Sequence, residues 1–430
     1  MSELKVFIEK DVFGPVYHTW ATFCHNAGIA YTLVQDAHLA HISIGTSDKA
    51  MVKVSTAFYR DLRAGVKVHA HFKNGLICNE EQQPDRLSTA FYLINALQEY
   101  GNTDPDEVGR FRYSESFQCR SGTVEQNLVQ KQFDLLHAEL SPLHAHKKMH
   151  RPSRVHLTHD IDTVFGAWYQ DGLAALRSGN IPGLFRILFS AAFLKPAWLN
   201  MPVIMKIESE YDMRSTFFWL VNKGRLNKRL TNSDYNISDK RIRKEMNAVA
   251  GNGFSNGIHK SISPDSFETE LRKLSIQVDG NRYHYLRFTL PSGFDEIERA
   301  GLRYDTSMGF AEAYGFRNSY GLPFTPYNVA ADRPYRFVEI PLHLMDTSLS
   351  RYLKTDPAQA FENIVRFFES NRTDAVFTVL WHNNYFTSYK FKGYLELYKK
   401  LLAYFYENKF ACASSSQLAG EFLIPQRSDR

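Results

Sequence analysis

From residue 154 onward, apolar residues gather in short runs of strand length separated by helical or loop segments. The runs cover 154–160, 215–221, 254–259, 284–290, 302–304, 337–342 and 376–382. Strands alternating with helices predict parallel β-α units. About seven such units predict a closed or nearly closed barrel, which carries its chemistry at the C-terminal strand ends. Before residue 144 the pattern differs. Strand-like runs at 4–9, 40–45 and 66–72 mix with helical runs at 86–100 and 124–139, predicting a smaller α/β module. The polar, basic stretch 144–153, with Pro152, reads as a connector. The expected organisation is therefore a module over 1–143 of unassigned role, a linker over 144–153 and a barrel over 154–430.

Composition narrows the class. Hydrophobic residues make up 44% and charged residues 23% of the 430 positions, which excludes a disordered or fibrous chain. The aromatic share of 14% suits a large core and a site that stacks sugar rings. The net charge of +5 is spread along the chain without a basic stripe, so nucleic acid is not an expected partner. The spaced cations Lys240, Arg241, Arg243 and Lys244 read as the solvated face of a helix. Four scattered cysteines without a CxxC pair argue against a cysteine zinc site and fit a reducing compartment. With no basic segment leading into an apolar run at the N-terminus, the expected location is cytoplasmic. No apolar stretch approaches the ~20 residues needed to cross a bilayer. Residues 181–206 are apolar enough to touch a membrane surface, although a buried helix is the expectation there.

Candidate chemistry sits where the runs end. Asp160 and Asp162 lie two residues apart at the first strand end, on one side of the strand. Two carboxylates that close need a cation between them, and the simplest division leaves one to bind a divalent metal and the other to act as a base. A polar loop or a helix cap is the plainer alternative. His259 ends the third run and His382 the seventh; each is either a site residue or a packed core histidine. Arg287 lies in an apolar run and needs an anionic partner, for which Asp160 is the obvious choice. His144, His146 and His150 in the connector lack a nearby carboxylate and make a weak ligand set.

Together these residues resemble the polysaccharide deacetylase, or NodB-homology, superfamily of carbohydrate esterases. The likeness runs from about residue 154 to 423. It is carried by Thr158-His159-Asp160-Ile161-Asp162, Ser215-Thr216-Phe217-Phe218, His259, Leu286-Arg287-Phe288-Thr289-Leu290-Pro291 and Leu380-Trp381-His382. A narrower likeness, to bacterial polysaccharide deacetylase-like proteins with an extra N-terminal module, adds Gly109-Arg110-Phe111, residues 282–288 and 304–310, Gly315-Phe316-Arg317 and the Asn383 that follows His382. The resemblance implies a distorted (β/α)7 barrel that removes acetyl groups from amino sugars with zinc or another divalent metal. It implies Asp160 as base, His382 as acid and Arg287 as the group that steadies the base. Asp162 and His259 would be metal ligands. The family's second metal histidine falls at Ser263 here, so His284 is the expected substitute. Arg282, Tyr285, Arg317, Trp381 and Asn383 are the expected substrate contacts. The implied substrate is an amino sugar or a polysaccharide precursor. An amidohydrolase of another small C–N bond and an inactive glycan-binding barrel are the alternatives.

Overall fold

A computed structural model describes residues 3–143, 149–193, 195–226 and 230–424. The first half of the expected connector, 144–148, with His144 and His146, lies outside the described residues. His150 is described and pairs with Asp374 at 2.7 Å.

Four short parallel strands open the chain: β1 (Leu4–Ile8), β2 (Tyr31–Leu33), β3 (Ile42–Gly45) and β4 (Val52–Lys53), in the order β2-β1-β3-β4. The run expected as a strand at 66–72 is instead a 3₁₀ turn, Val68–His71. In turn, β2 and β4 escape the sequence pattern because strands of two or three residues leave no periodicity to read.

The larger sheet is built from β5 (Arg154–Ile161), β6 (Ser215–Leu220), β7 (Ser255–Lys260), β8 (Gly280–Tyr283) and β9 (Tyr304–Asp305). A small hairpin of β10 (Tyr327–Asn328) and β11 (Arg333–Pro334) stands apart. The sheet resumes with β12 (Val338–Glu339), β13 (Leu342–Met345), β14 (Val376–Leu380) and β15 (Ala411–Cys412). Among the described residues its order is β12-β9-β8-β7-β6-β5-β14-β13, with every pair parallel and β15 added alongside β5. The two end strands, β12 and β13, are separated in sequence only by Ile340 and Pro341, so the sheet must curl until its edges meet. This is the expected distorted barrel, with the smaller α/β region before it. Strands β6 and β14 are buried throughout and β5 from its second residue on, as covered parallel strands should be.

Two expected strands are displaced. The run 337–342 is shared between β12 and β13, because Pro341 has no N–H to continue a ladder. The fourth strand lies at Gly280–Tyr283, just ahead of the apolar run at 284–290. Gly280 is obligatory there, since a Cβ would fall 2.0 Å from the Tyr304 ring. After His284 the strand breaks, with Tyr285 (φ 60°) and Leu286 (φ 55°) both left-handed.

The expected burial of 181–206 holds only in part. Trp198, Leu199, Met201 and Ile204 are buried, but the helix Ile181–Phe193 exposes Ile181, Phe185, Leu188 and Phe189. No helix of the described residues is long and apolar enough to cross a membrane.

The N-terminal region is fastened to the barrel by buried polar contacts. Arg317 forms a two-pronged ion pair with Glu99, at 2.9 and 2.5 Å. Asn318 donates to the Ile94 carbonyl, and Tyr327 N–H donates to Asn95.

Candidate active site and metal centre

Parallel register brings the chemistry together. Asp160 pairs with Phe218 across β5 and β6, and His259 lies opposite both Leu220 and Arg282. Asp160, Asp162, His259, His284 and His382 thus share the floor of one cleft of about 990 Å³.

Hydrogen bonds fix the histidine tautomers. His259 Nδ1 lies 2.8 Å from the Arg282 carbonyl, and His284 Nε2 lies 2.9 Å from the Thr231 carbonyl. A carbonyl only accepts, so each of these nitrogens carries its ring's proton. In the neutral rings that can ligate a metal, the opposite nitrogens, His259 Nε2 and His284 Nδ1, then face each other with their lone pairs 3.0 Å apart. Asp162 Oδ1 lies 3.3 Å from the first and 3.7 Å from the second, buried and without a hydrogen bond of good geometry. Two lone pairs and a carboxylate oxygen converging on one point repel unless something positive lies among them. The ligand atoms of Asp162, His259 and His284 all fall within 4.8 Å of one another. That suits a tetrahedral ion with bonds of about 2.0–2.1 Å, whose ligands stand about 3.3 Å apart. The backbone carbonyls behind both rings are the usual outer partners of metal-binding imidazoles. The donor set therefore fits a divalent cation.

Charge follows the same pattern. Burial opposes the charge on Asp162, yet His284, His259 and His382 hold its carboxyl well below the usual range. Burial pushes His284 down to about 4, with His259 adding to the effect, so its imidazole is neutral and able to ligate. Burial also works against charge on His259, but Asp160 and Asp162 raise it on balance.

On the other side of the floor, Asp160 is 2% exposed and receives Arg282 Nη1 at 3.1 Å. The Arg282 guanidinium is locked from behind by Thr158 Oγ1 at 2.9 Å and by Thr306. Arg287 does not occupy this place. The break after His284 throws it out of the strand's alternation, and its side chain is exposed beside Gly109. The arginine that steadies Asp160 is Arg282, which sits beneath the carboxylate without reaching the cleft as a substrate contact.

His382 leans over the floor, with Nε2 at 3.7 Å from Asp162 Oδ2. Its Nδ1 is 2.8 Å from Asp346, whose other oxygen accepts the His382 N–H at 2.5 Å. Burial opposes protonation, but Asp346, helped by Asp162 and Asp160, pushes His382 up to about 10. Asp346 is fully buried one residue beyond β13, and no expectation included it. Its signal was an acid directly after an apolar run, Leu342–Met345, that the sequence pattern had placed too early.

The remaining expected substrate contacts separate. Tyr285 lines the cleft, its hydroxyl at 3.3 Å from Thr231. Trp381 is buried against Tyr394 and Tyr398. Asn383 is buried and donates to the Thr163 and Trp198 carbonyls, tying loops together. Arg317 is spent on Glu99. None of these three lines the cleft. Ser263, where the resemblance looks for a second metal histidine, accepts a hydrogen bond from Asn232 outside the floor. The cleft has a contributor from the N-terminal region as well. Arg110, held by Asp106 at 2.7 Å and by the Tyr352 hydroxyl at 3.1 Å, forms part of its wall. Arg351, Lys354, Lys390 and Lys392 also line it.

Comparison with known proteins gives limited company. Residues 22–144 match the model of a family of unknown function, DUF7033. No curated protein matches the chain. Among solved structures, a proposed polysaccharide deacetylase from Mycobacterium smegmatis is similar at 14% identity and a TM-score of 0.40, over 65% of this chain and 94% of that one. A carbohydrate esterase family 4 pseudoenzyme from Bacillus anthracis is similar at 10% identity and a TM-score of 0.33, over 64% of this chain and 67% of that one. The Bc1960 peptidoglycan N-acetylglucosamine deacetylase is similar at 10% identity and a TM-score of 0.33, over 62% of this chain and 87% of that one. Likenesses this distant carry no weight for activity.

Proposed function

We propose that the protein is a hydrolase that removes N-acetyl groups from an amino sugar in a glycan or glycan precursor, using zinc or a similar divalent ion held by Asp162, His259 and His284. One observation carries this reading: the bare nitrogens of His259 and His284 converge with Asp162 Oδ1, and the Asp160–Arg282 and His382–Asp346 pairs flank them.

A divalent ion held by Asp162, His259 and His284 would supply Lewis-acid polarisation of the acetyl carbonyl and a more acidic water. Asp160, held in place by Arg282, takes the proton of the attacking water. His382 holds its proton through Asp346 and delivers it to the nitrogen as the C–N bond breaks. Water is consumed, and acetate and a free amine are released. Tyr285 and the cleft walls orient the sugar. An open cleft of about 990 Å³ favours an oligosaccharide over a small amide.

The test is acetate release from N-acetylated chitooligosaccharides by the purified chain, alongside its metal content. Asp160→Asn should lose at least about 100-fold in kcat with metal retained, whereas Asp162→Ala should lose the metal itself. Retained metal in Asp162→Ala, or undiminished turnover in Asp160→Asn, would overturn the assignment.

A further inference from the structure

Seven of the seventeen large apolar side chains exposed among the described residues fall between positions 168 and 189. They sit on two helices packed as a hairpin, Ala167–Arg177 and Ile181–Phe193. Ile181, Phe185, Leu188 and Phe189 fall at helical spacing on one outward face, with Phe185 70% exposed. Ile187, on the other face, is buried. The helix is therefore apolar on both sides, and only one side is needed for packing. The first helix adds Trp168, Tyr169 and Leu176, at 54%, 60% and 53% exposure. So concentrated a patch marks an interaction surface.

Charge identifies the occupant. Residues 163–195 contain a single acid, Asp171, and it is fully buried, accepting hydrogen bonds from Trp198, Thr387 and the Lys390 N–H. Arg177 and Arg186 are exposed within the hairpin. Beside it runs the helix Lys240–Gly251, joined through the Lys195–Glu245 ion pair and through Arg241, whose guanidinium lies over the Phe165 ring. That helix exposes Lys240, Arg241, Arg243 and Lys244; Arg241 is also paired with Asp239. Exposed Trp, Tyr, Phe and Leu, bordered by cations and free of exposed acids, form the pattern of a segment lying in a bilayer interface with anionic headgroups.

We propose that this hairpin docks the protein on an anionic phospholipid surface, lying in the interface without crossing it. The hairpin touches the cleft wall. Lys390 on the cleft wall is held by the hairpin through Gln170 at 2.6 Å and through Asp171 at 3.2 Å. A docked molecule therefore works on substrate presented close to the lipid headgroups. The inference is independent of the reaction performed.

The full-length chain should be sedimented with phosphatidylcholine vesicles, with and without about 30% phosphatidylglycerol. We expect binding to the anionic vesicles at least about tenfold stronger than to the neutral ones, and weakened at about 0.5 M salt. Trp20, Trp198, Trp219 and Trp381 are fully buried, so Trp168 is a built-in reporter. Brominated acyl chains should quench its emission, and Trp168→Phe should abolish that quenching. Phe185→Glu with Phe189→Glu should weaken vesicle binding at least about tenfold with the melting temperature preserved. Should that pair misfold, Lys240→Gln, Arg243→Gln and Lys244→Gln together should abolish the preference for anionic vesicles. Absence of sedimentation at low salt would overturn the proposal. So would full binding by the folded glutamate pair, or a dimer in solution that this pair converts to monomer.

Discussion

At the scale of single residues, the site rests on two buried carboxylates that each set a partner. Asp346 makes His382 a proton holder. Asp346→Asn should let the His382 pKa fall from about 10 toward its ordinary range, and lower kcat by about 100-fold with metal content unchanged. An NMR titration of the ring together with acetate assays checks both halves. The two arginines give a contrast of their own. Arg282→Met removes the partner of a buried carboxylate and should lower stability by about 3–5 kcal/mol. The exposed Arg287→Met should stay within about 0.5 kcal/mol and keep its activity. Thermal melts of the two variants, compared side by side, separate the roles that the sequence alone had given to the wrong arginine.

At the scale of elements, legibility followed strand length. Long buried runs such as 154–160 and 376–382 announced β5 and β14, and with them Asp160, Asp162 and His382. The four-residue β8 did not announce itself. Its polar residues Asn281 and Arg282 point inward to buried partners, so its pattern is not apolar, and the apolar stretch after it is a turn. Arg287 looked buried in a strand because its neighbours are apolar. Two left-handed residues undo that phase, and left-handed conformations at Tyr and Leu leave no mark in a sequence. His284 stood beside this break, and its ring is aimed by the Thr231 carbonyl. His284→Ala should therefore lose metal affinity by at least about tenfold. Adding Ser263→His should not restore it, because that position faces Asn232. Metal titrations of the single and double variants give the answer.

At the scale of the whole molecule, the interior carries neutral imidazoles that make acid a denaturant. Burial brings His18 down to about 4, His156 to about 3 with help from Arg282 and His343, and His343 to about 3. All three lie below the ordinary 6.5, so the unfolded chain binds more protons than the folded one once the pH drops under that value. Their contribution is complete above 6.5 and declines as pH falls toward 4, by up to about 1.4 kcal/mol per pH unit for each ring. Denaturant melts from pH 7.5 to 5 should show the slope, and His343→Gln should remove about a quarter of it, His284 being a fourth such ring.

The Glu99–Arg317 pair and the Arg110 wall have a consequence for how such a chain can be rearranged. The barrel is not a portable cassette. Cut free of residues 3–143, it would be left with an orphan guanidinium in its interior and a breach in its binding trough. Any foreign leading segment grafted in its place would have to bring both a carboxylate at the seam and a cation at the trough.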